Sequence, residues 1–523
     1  MNPLSNATFV EHLTGSVRFV LPEAALVATA CILFLLAAFR TTKLVHTVVA
    51  LAGIGAAIFV MVNYPEPAFA TENRGYTSID PTGIAMFVRW LALACGIVYV
   101  LLAWNDTRPE TSAEYLACVM VVIAGLSLVG RANDLVTLFL ALEMISIPTY
   151  VLLYLPTRTQ AGQEAAMKYF MLSVLSAGVL LFGFSYLYGI TGATNIANIV
   201  QILSASGHAG ATSPMAILGI LFVIAGLSFR LAAVPFHFYA PDVYEGGPNG
   251  VIAQLAYIPK IAGFVALARL LGLLQQPVLD VPFDTQNSLI PLTLWVIAAI
   301  TMTFGNLLAM LQENVRRMLA YSGIAHGGYM LIGILVAASV PVQQAGATQS
   351  GLDALLFYLI AYGLMTVGAF AILAHLAVQQ QSTQSIDDLA GLGKSHPWSS
   401  AILGIFLVSL IGLPLTAGFA GKFMLFFSAF EVPPTTGMKN MFRILVGIAA
   451  INAGIAAVYY LRVLGVLYLR SPLKPSESKP VRNPAFYIAA LCAIATLLLG
   501  MYPNPVLDEI RKAAPVAALP ADE

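Results

Sequence analysis

An all-α polytopic membrane protein is what this chain predicts, on three observations. Hydrophobic residues fill 59% of 523 positions and charged residues only 10%, with a mean hydropathy of +0.84, far from soluble composition. Apolar runs of about 20 residues recur from end to end, bounded by charges, Pro or Gly. These runs lack the alternation of lipid-facing strands, so helices rather than a barrel are expected. Twenty-five basic residues balance twenty-five acidic ones, which argues against nucleic acid as a partner and leaves the lipid bilayer as the main surroundings. Cys31, Cys95, Cys118 and Cys492 each stand alone in an apolar run. Packing thiols are expected, not a metal or disulfide framework.

Fourteen spans are expected, at about 20–39, 44–63, 82–104, 114–130, 134–155, 164–188, 215–239, 249–274, 289–312, 317–338, 353–379, 398–430, 441–470 and 484–502. The first run, carrying Glu23 between Arg18 and Arg40, has no small-residue cleavage site and is taken as a span rather than a cleavable signal. Glu23 and Arg89 lie near span ends and are expected to reach the interface. The seventh and twelfth spans are too irregular to be single straight helices. Pro235 follows Arg230, and Pro414 precedes Lys422 among Gly412, Gly418 and Gly421. A proline frees a carbonyl one turn back, which at bilayer depth only protein or water can satisfy, so broken helices imply a hydrated interior.

Spans four to eight and nine to thirteen lay over one another as two five-helix units, the odd number inverting the second. The corresponding segments are an N-terminal three-helix part (1–112), a first repeat (113–275), a second repeat (288–470) and a last helix with its tail (471–523). Arg40, Lys43, Arg108, Arg158, Arg316, Arg317, Lys394, Arg470, Lys474, Lys479 and Arg482 fall on one side. Arg18, Arg74, Arg131, Lys439, Arg443, Arg511 and Lys512 fall on the other, which places both termini away from the cytoplasm.

Of the ionisable residues inside these spans, five are the candidates for chemistry: Glu143, Lys168, Arg230, Lys260 and Lys422. At roughly 3 kcal/mol each for a charge at a helix centre, they must be paired, hydrated or both. A line of such groups suits proton relay, because burial and neighbouring charges move proton affinities and lysine is readily moved. Lys168 is the expected partner of Glu143. Arg230 stays protonated and is better suited to biasing a neighbour than to giving up a proton. Histidine ordinarily titrates near neutrality, so His237 and His326 are candidates to bridge gaps; neither has a His or carboxylate three or four residues on, so no metal site is expected. PDVYEGGP reads as a tight acidic turn, with Asp242 capping and Gly246 and Gly247 free to take positive φ. Arg316 and Arg317 read first as an orientation signal. No phosphate loop, dinucleotide fingerprint or haem pattern occurs, so redox chemistry is not expected in this chain.

LEMISIPTY, VPFHFYAPDVYEG with PKIAGF, QENVRRMLAYSGIAHGGY and GLPLTAGFAGKF together closely resemble the antiporter-like subunits of respiratory NADH:quinone oxidoreductase, over about residues 115 to 470. PDVYEG, and the lysine in GFAGKF, bring the likeness nearest to the subunit N branch, the counterpart of mitochondrial subunit 2. The resemblance implies fourteen helices in two inverted five-helix repeats, with protons translocated in response to quinone reduction elsewhere in the complex. It puts the family's carboxylate on Glu143 and its lysines on Lys168, Lys260 and Lys422. Where the family has a lysine on the broken seventh helix, this chain has Arg230, and GGPNGV also departs from the usual pattern. NADH, FMN, iron-sulfur clusters and quinone are then expected in partner subunits, with subunits M, K and J as neighbours in a bacterial inner membrane. The alternatives are an Mrp-type sodium/proton antiporter subunit, a membrane subunit of a hydrogenase or ferredoxin-linked complex, and a passive scaffold. Sodium sites want several carboxylates or unwound carbonyls, and only Glu143 is clearly available.

Overall fold

The computed structural model describes residues 19–39, 41–63, 83–156, 159–205, 213–273, 289–339, 351–379, 384–433, 438–472 and 483–513. Arg18, Arg40, Arg74, Arg158, Lys474, Lys479 and Arg482 lie outside them. Among the described residues there is no strand. The helices are α1 (Leu21–Ala37), α2 (Lys43–Asn63), α3 (Gly83–Asp106), α4 (Ser112–Arg131), α5 (Leu135–Tyr154), α6 (Gln160–Thr191), α7 (Ile196–Ala205), α8 (Pro214–Leu231), α9 (Ala240–Gly246), α10 (Asn249–Leu270), α11 (Leu289–Met310), α12 (Val315–Ser339), α13 (Gly351–Gln379), α14 (Pro397–Ile411), α15 (Ala417–Phe430), α16 (Lys439–Leu469), α17 (Pro484–Met501) and α18 (Asn504–Ala513). Twelve are long and apolar enough to cross a membrane. The shorter α1, and α14 with α15 taken as one interrupted span, complete the expected fourteen.

Side-chain caps set several starts. Asp134, Thr159, Ser213 and Asn483 each accept a hydrogen bond from a backbone N–H of the first turn of α5, α6, α8 and α17, satisfying a donor that no helical partner reaches. α10 is buried along its whole length, and α12 and α13 nearly so. These three are the centre of the molecule, which is where a helix apolar on every side must go. The outer spans present large apolar side chains such as Phe59, Leu175 and Ile451 to the lipid.

Both expected interruptions are present. α8 stops at Leu231, with Ala232 left-handed at φ 53°. The N–H groups of Ala232 and Ala233 turn back on the Phe229 and Ser228 carbonyls at 3.0 and 2.8 Å. The Val234–Pro235 bond is cis, and the Val234 N–H donates to Thr301 Oγ1 on α11 at 3.1 Å. The chain then resumes as α9, which corrects the acidic-turn expectation for PDVYEGGP. That stretch is helical, and Gly247 has φ −81°. Gly246 is needed for proximity instead, since a Cβ there would lie 2.4 Å from the Ala161 carbonyl oxygen. The second interruption runs from Gly412, at φ 92°, through Pro414 and Leu415, at φ 70°, to Thr416, which caps α15.

The N-terminal part differs from expectation. Glu23 and Arg89 are both buried and face each other, Arg89 donating from Nε and Nη2 to the two carboxylate oxygens at 2.9 Å each. Arg89 also donates to the Phe19 carbonyl at 2.8 Å, and the Ser127 hydroxyl to Glu23 at 2.5 Å. Since α1 and α3 both pack on α4, the two charges meet across that contact instead of reaching the interface. A bidentate pair with further hydrogen bonds is the form in which a buried ion pair is tolerated.

Candidate functional site

Glu143 lies on α5 with its partner on α8. Arg230 donates through Nη2 to Glu143 Oε1 at 2.8 Å, and through Nη1 to the Leu142 carbonyl at 3.0 Å and Ser146 Oγ at 2.6 Å. Ser146 is one turn from Glu143, so α5 offers a carboxylate, a hydroxyl and a carbonyl side by side, and the planar guanidinium fits that set as an ammonium would not. The Arg230 side chain is 3% exposed and that of Glu143 19%. The pair therefore has one buried end and one partly exposed end.

Lys168 is elsewhere. It pairs with Glu164 on its own helix at 2.6 Å and with Asp242 on α9 at 2.5 Å, and is 39% exposed. Asp242 also accepts from Arg317 at 2.6 Å, and Arg317 reaches Glu245 at 2.8 Å. Arg316 donates to the carbonyls of Glu245 and Gly247 at 3.3 and 3.1 Å. A band of alternating charge thus ties α6 and α12 to the half-helix α9. Arg316 and Arg317, read from sequence as an orientation signal, are structural partners of the PDVYEGG segment.

The remaining predicted groups converge in the centre. Lys260 on α10 donates to the Gly323 carbonyl of α12 and, at 3.3 Å, to the Tyr362 hydroxyl of α13. Its Nζ lies 4.7 Å from the centre of the Tyr362 ring. A Cβ at Gly323 would stand 2.7 Å from that hydroxyl and 3.3 Å from the Lys260 Nζ, so glycine there makes the seat. The His326 ring lies 5.5 Å from that of Tyr362 and 5.8 Å from that of Tyr329. Lys422 Nζ sits 5.1 Å from the Tyr329 ring and donates to the carbonyls of Leu410 and Ile411, at the end of α14, at 2.8 and 2.9 Å. Two buried lysines therefore flank one buried histidine, a tyrosine ring standing between each lysine and the imidazole. Neither lysine has a carboxylate at ion-pair distance among the described residues.

Sequence reasoning missed these tyrosines. Tyr358 and Tyr362 are four residues apart on α13, as are Ser322 and His326 on α12, so each pair shares a helix face; in apolar runs that signal reads as packing. His237, half-buried, and Pro235, exposed, lie in the first interruption, and exposed Pro414 in the second. No hydrogen bond joins His237 to His326.

Twelve long spans and the shorter apolar helices among the described residues, with two interruptions, around a buried line of cations and hydroxyls define an ion-translocating subunit of the antiporter-like class. A family model described as "NADH:quinone oxidoreductase/Mrp antiporter, TM" matches residues 132–447. A protein of Anaeromyxobacter sp. (strain Fw109-5) named NADH-quinone oxidoreductase subunit N is 35% identical over 95% of this chain and 96% of its own length. One of Bacillus anthracis with the same name is 34% identical over 93% and 92%. Among solved structures, respiratory complex I from Thermus thermophilus has a chain with TM-score 0.73 and 28% identity, covering 93% of this chain and 98% of that one. The chain belongs to the NADH:quinone oxidoreductase/Mrp antiporter family, in its subunit N branch. A chain of the Mrp complex from Dietzia sp. DQ12-45-1b, at TM-score 0.73 but 19% identity, shares the fold.

Proposed function

We propose that this chain moves protons within an NADH-quinone oxidoreductase along Glu143, Arg230, Lys260, His326 and Lys422, with Lys168 at the charged entrance. The observation that carries the reading is the pair of carboxylate-free lysines, Lys260 and Lys422, buried on either side of His326. An ammonium held by carbonyls and hydroxyls is stabilised less than one in an ion pair, so its proton is the easier to lose. Arg230 keeps its charge and biases Glu143. The interrupted helices α8–α9 and α14–α15 each fall fourth in a unit of five spans, which favours the division into repeats at 113–275 and 288–470, between an N-terminal part (1–112) and a last helix with its tail (471–523). Hydride and electron transfer, with NADH, FMN, iron-sulfur clusters and quinone, belong on this reading to partner subunits. The membrane neighbours are subunits M, K and J, the location is the bacterial inner membrane, and both termini face away from the cytoplasm. Moving one charge against 100 mV takes about 2.3 kcal/mol, which the partners must deliver.

Lys260→Met in the complex, reconstituted in vesicles, is expected to lower NADH-driven proton uptake at least about tenfold at normal assembly. Parental uptake from that variant overturns the relay. Purification of the chain without redox subunits but with sodium-dependent transport overturns its place in the oxidoreductase.

A further inference from the structure

The lysines are not the groups that touch His326. Its Nδ1 is 2.5 Å from the Tyr358 hydroxyl on α13, and its Nε2 is 3.4 Å from the Tyr460 hydroxyl on α16. Tyr460 in turn shares a hydrogen with Ser322 Oγ, one turn from His326 on α12. All four side chains are buried. A neutral imidazole has one donor and one acceptor nitrogen, and a phenol can play both parts, so either tautomer completes the chain. Of the three tyrosine rings nearest His326, those of Tyr329 and Tyr362 offer it only their faces or edges, with no hydrogen bond. The adjacent Tyr459 donates to Asn306 Oδ1 at 3.0 Å and borders the branch through side-chain hydrogen bonding with Tyr460 and Ser322.

We propose that Tyr358 and Tyr460 are proton-carrying residues that load and unload His326 through its two nitrogens, with Ser322 as the outer hydroxyl of the branch; the proposal rests on the relay reading above. In the step, a hydronium gives its proton to the Ser322 oxygen and is left as water, while the Ser322 hydroxyl passes its own to the Tyr460 oxygen. Tyr460 releases its original proton to Nε2 as Nδ1 gives its proton to the Tyr358 oxygen, and Tyr358 releases its original proton to water. Each bond broken is matched by one formed, and the imidazole leaves as the other tautomer. The branch runs off the Lys260–Lys422 line. Ser322 is five residues from Arg317, about 7.5 Å along the helix, so the second unit exchanges protons toward the side of the charged band as well as along the centre.

The test uses the whole complex in proteoliposomes, with 3,5-difluorotyrosine or Phe placed singly at 358 and 460, and Lys422→Met and Tyr468→Phe, at an exposed tyrosine of the same helix α16, as controls. Difluorotyrosine keeps the ring and hydroxyl but is the stronger acid. The expected result is that each Phe lowers proton uptake at least about tenfold, within the span of general acid–base effects, and that each difluorotyrosine moves the pH profile of uptake to lower pH. Tyr468→Phe is expected to pump normally. Phe variants pumping at the parental rate overturn the proposal, and so does a difluorotyrosine profile that does not move, because a packing role predicts none. If Phe prevents assembly, the difluorotyrosine profile alone decides. Lys422→Met separates the two readings: if it pumps normally the relay falls with its branch, and if it fails while the Tyr358 and Tyr460 variants pump, only the branch falls.

Discussion

The two interrupted helices solve the same problem with opposite means. At the first, the freed carbonyls are met by backbone and a hydroxyl: Phe229 accepts from the Ala232 N–H and, at 3.0 Å, from the Tyr239 hydroxyl. The cation of that helix, Arg230, is turned aside onto a carboxylate. At the second, the carbonyls of Leu410 and Ile411 are met by the cation itself, Lys422, with no acid beside it. Arginine on a carboxylate is a permanent, self-satisfied charge; lysine on carbonyls can leave its carbonyls to water when it loses a proton. On the proposed relay, the first interruption supplies a fixed field and the second a changing one.

The sharpest way to break that contrast is to neutralise each side. Lys422→Met is expected to cut NADH-driven proton uptake at least about tenfold, while the unfolding temperature of the purified complex stays near parental, because methionine fills similar space without a charge to desolvate. Glu143→Gln strands Arg230, and with Glu143 partly open the cost belongs at the low end of the range for breaking a buried pair, about 3 kcal/mol, visible as a lowered unfolding temperature. If Lys422→Met costs the stability and Glu143→Gln does not, the roles are reversed. A smaller effect tests the guanidinium fork. Arg230→Lys keeps the charge but cannot reach Glu143, Ser146 and Leu142 together, so a loss of about 1–2 kcal/mol is expected from the abandoned hydrogen bonds, with uptake retained. Pumping abolished in a stable Arg230→Lys complex would show that more than a fixed charge is needed. The smallest effects concern the left-handed caps. Gly412→Ala places a Cβ 3.1 Å from Lys422 at φ 92° and is expected to cost about 1–2 kcal/mol, while Ala232→Gly relieves strain worth less than about 1 kcal/mol. Chemical denaturation of both should move them in opposite directions.

The spans, both interruptions and the buried charges Arg230, Lys260 and Lys422 were legible because each is local: a proline in an apolar run, or a charge where none is affordable. Lys168, placed in the same set, is 39% exposed, and buried Arg131 stood in the sequence as an orientation marker. Pairing was not. Arg230, not Lys168, holds Glu143, and the difference depends on how α5, α6 and α8 rotate against one another, which no spacing records. Glu23 and Arg89 looked interfacial because each is near the end of its own helix; only the shared neighbour α4 brings them together. PDVYEGGP carries Pro, Gly and Asp, the residues of turns, yet Pro241 also suits the first turn of a helix, and contacts of α9 with α6 and α12 settle the matter. Tyr358 and Tyr460 were invisible because a tyrosine in a hydrophobic run is, by sequence, indistinguishable from packing.

The Glu23–Arg89 pair carries a consequence for biosynthesis. Its members are 66 residues apart, so at about 5–20 residues per second the first span leaves the ribosome several seconds before its counter-charge exists. Through that interval the nascent helix has an unneutralised carboxylate and no reason to settle in its final place. Topogenesis of the amino-terminal part is therefore a delayed event: α1 becomes fixed only when α3 and α4 have emerged, and a ribosome stalled before residue 89 should leave the first span still extractable.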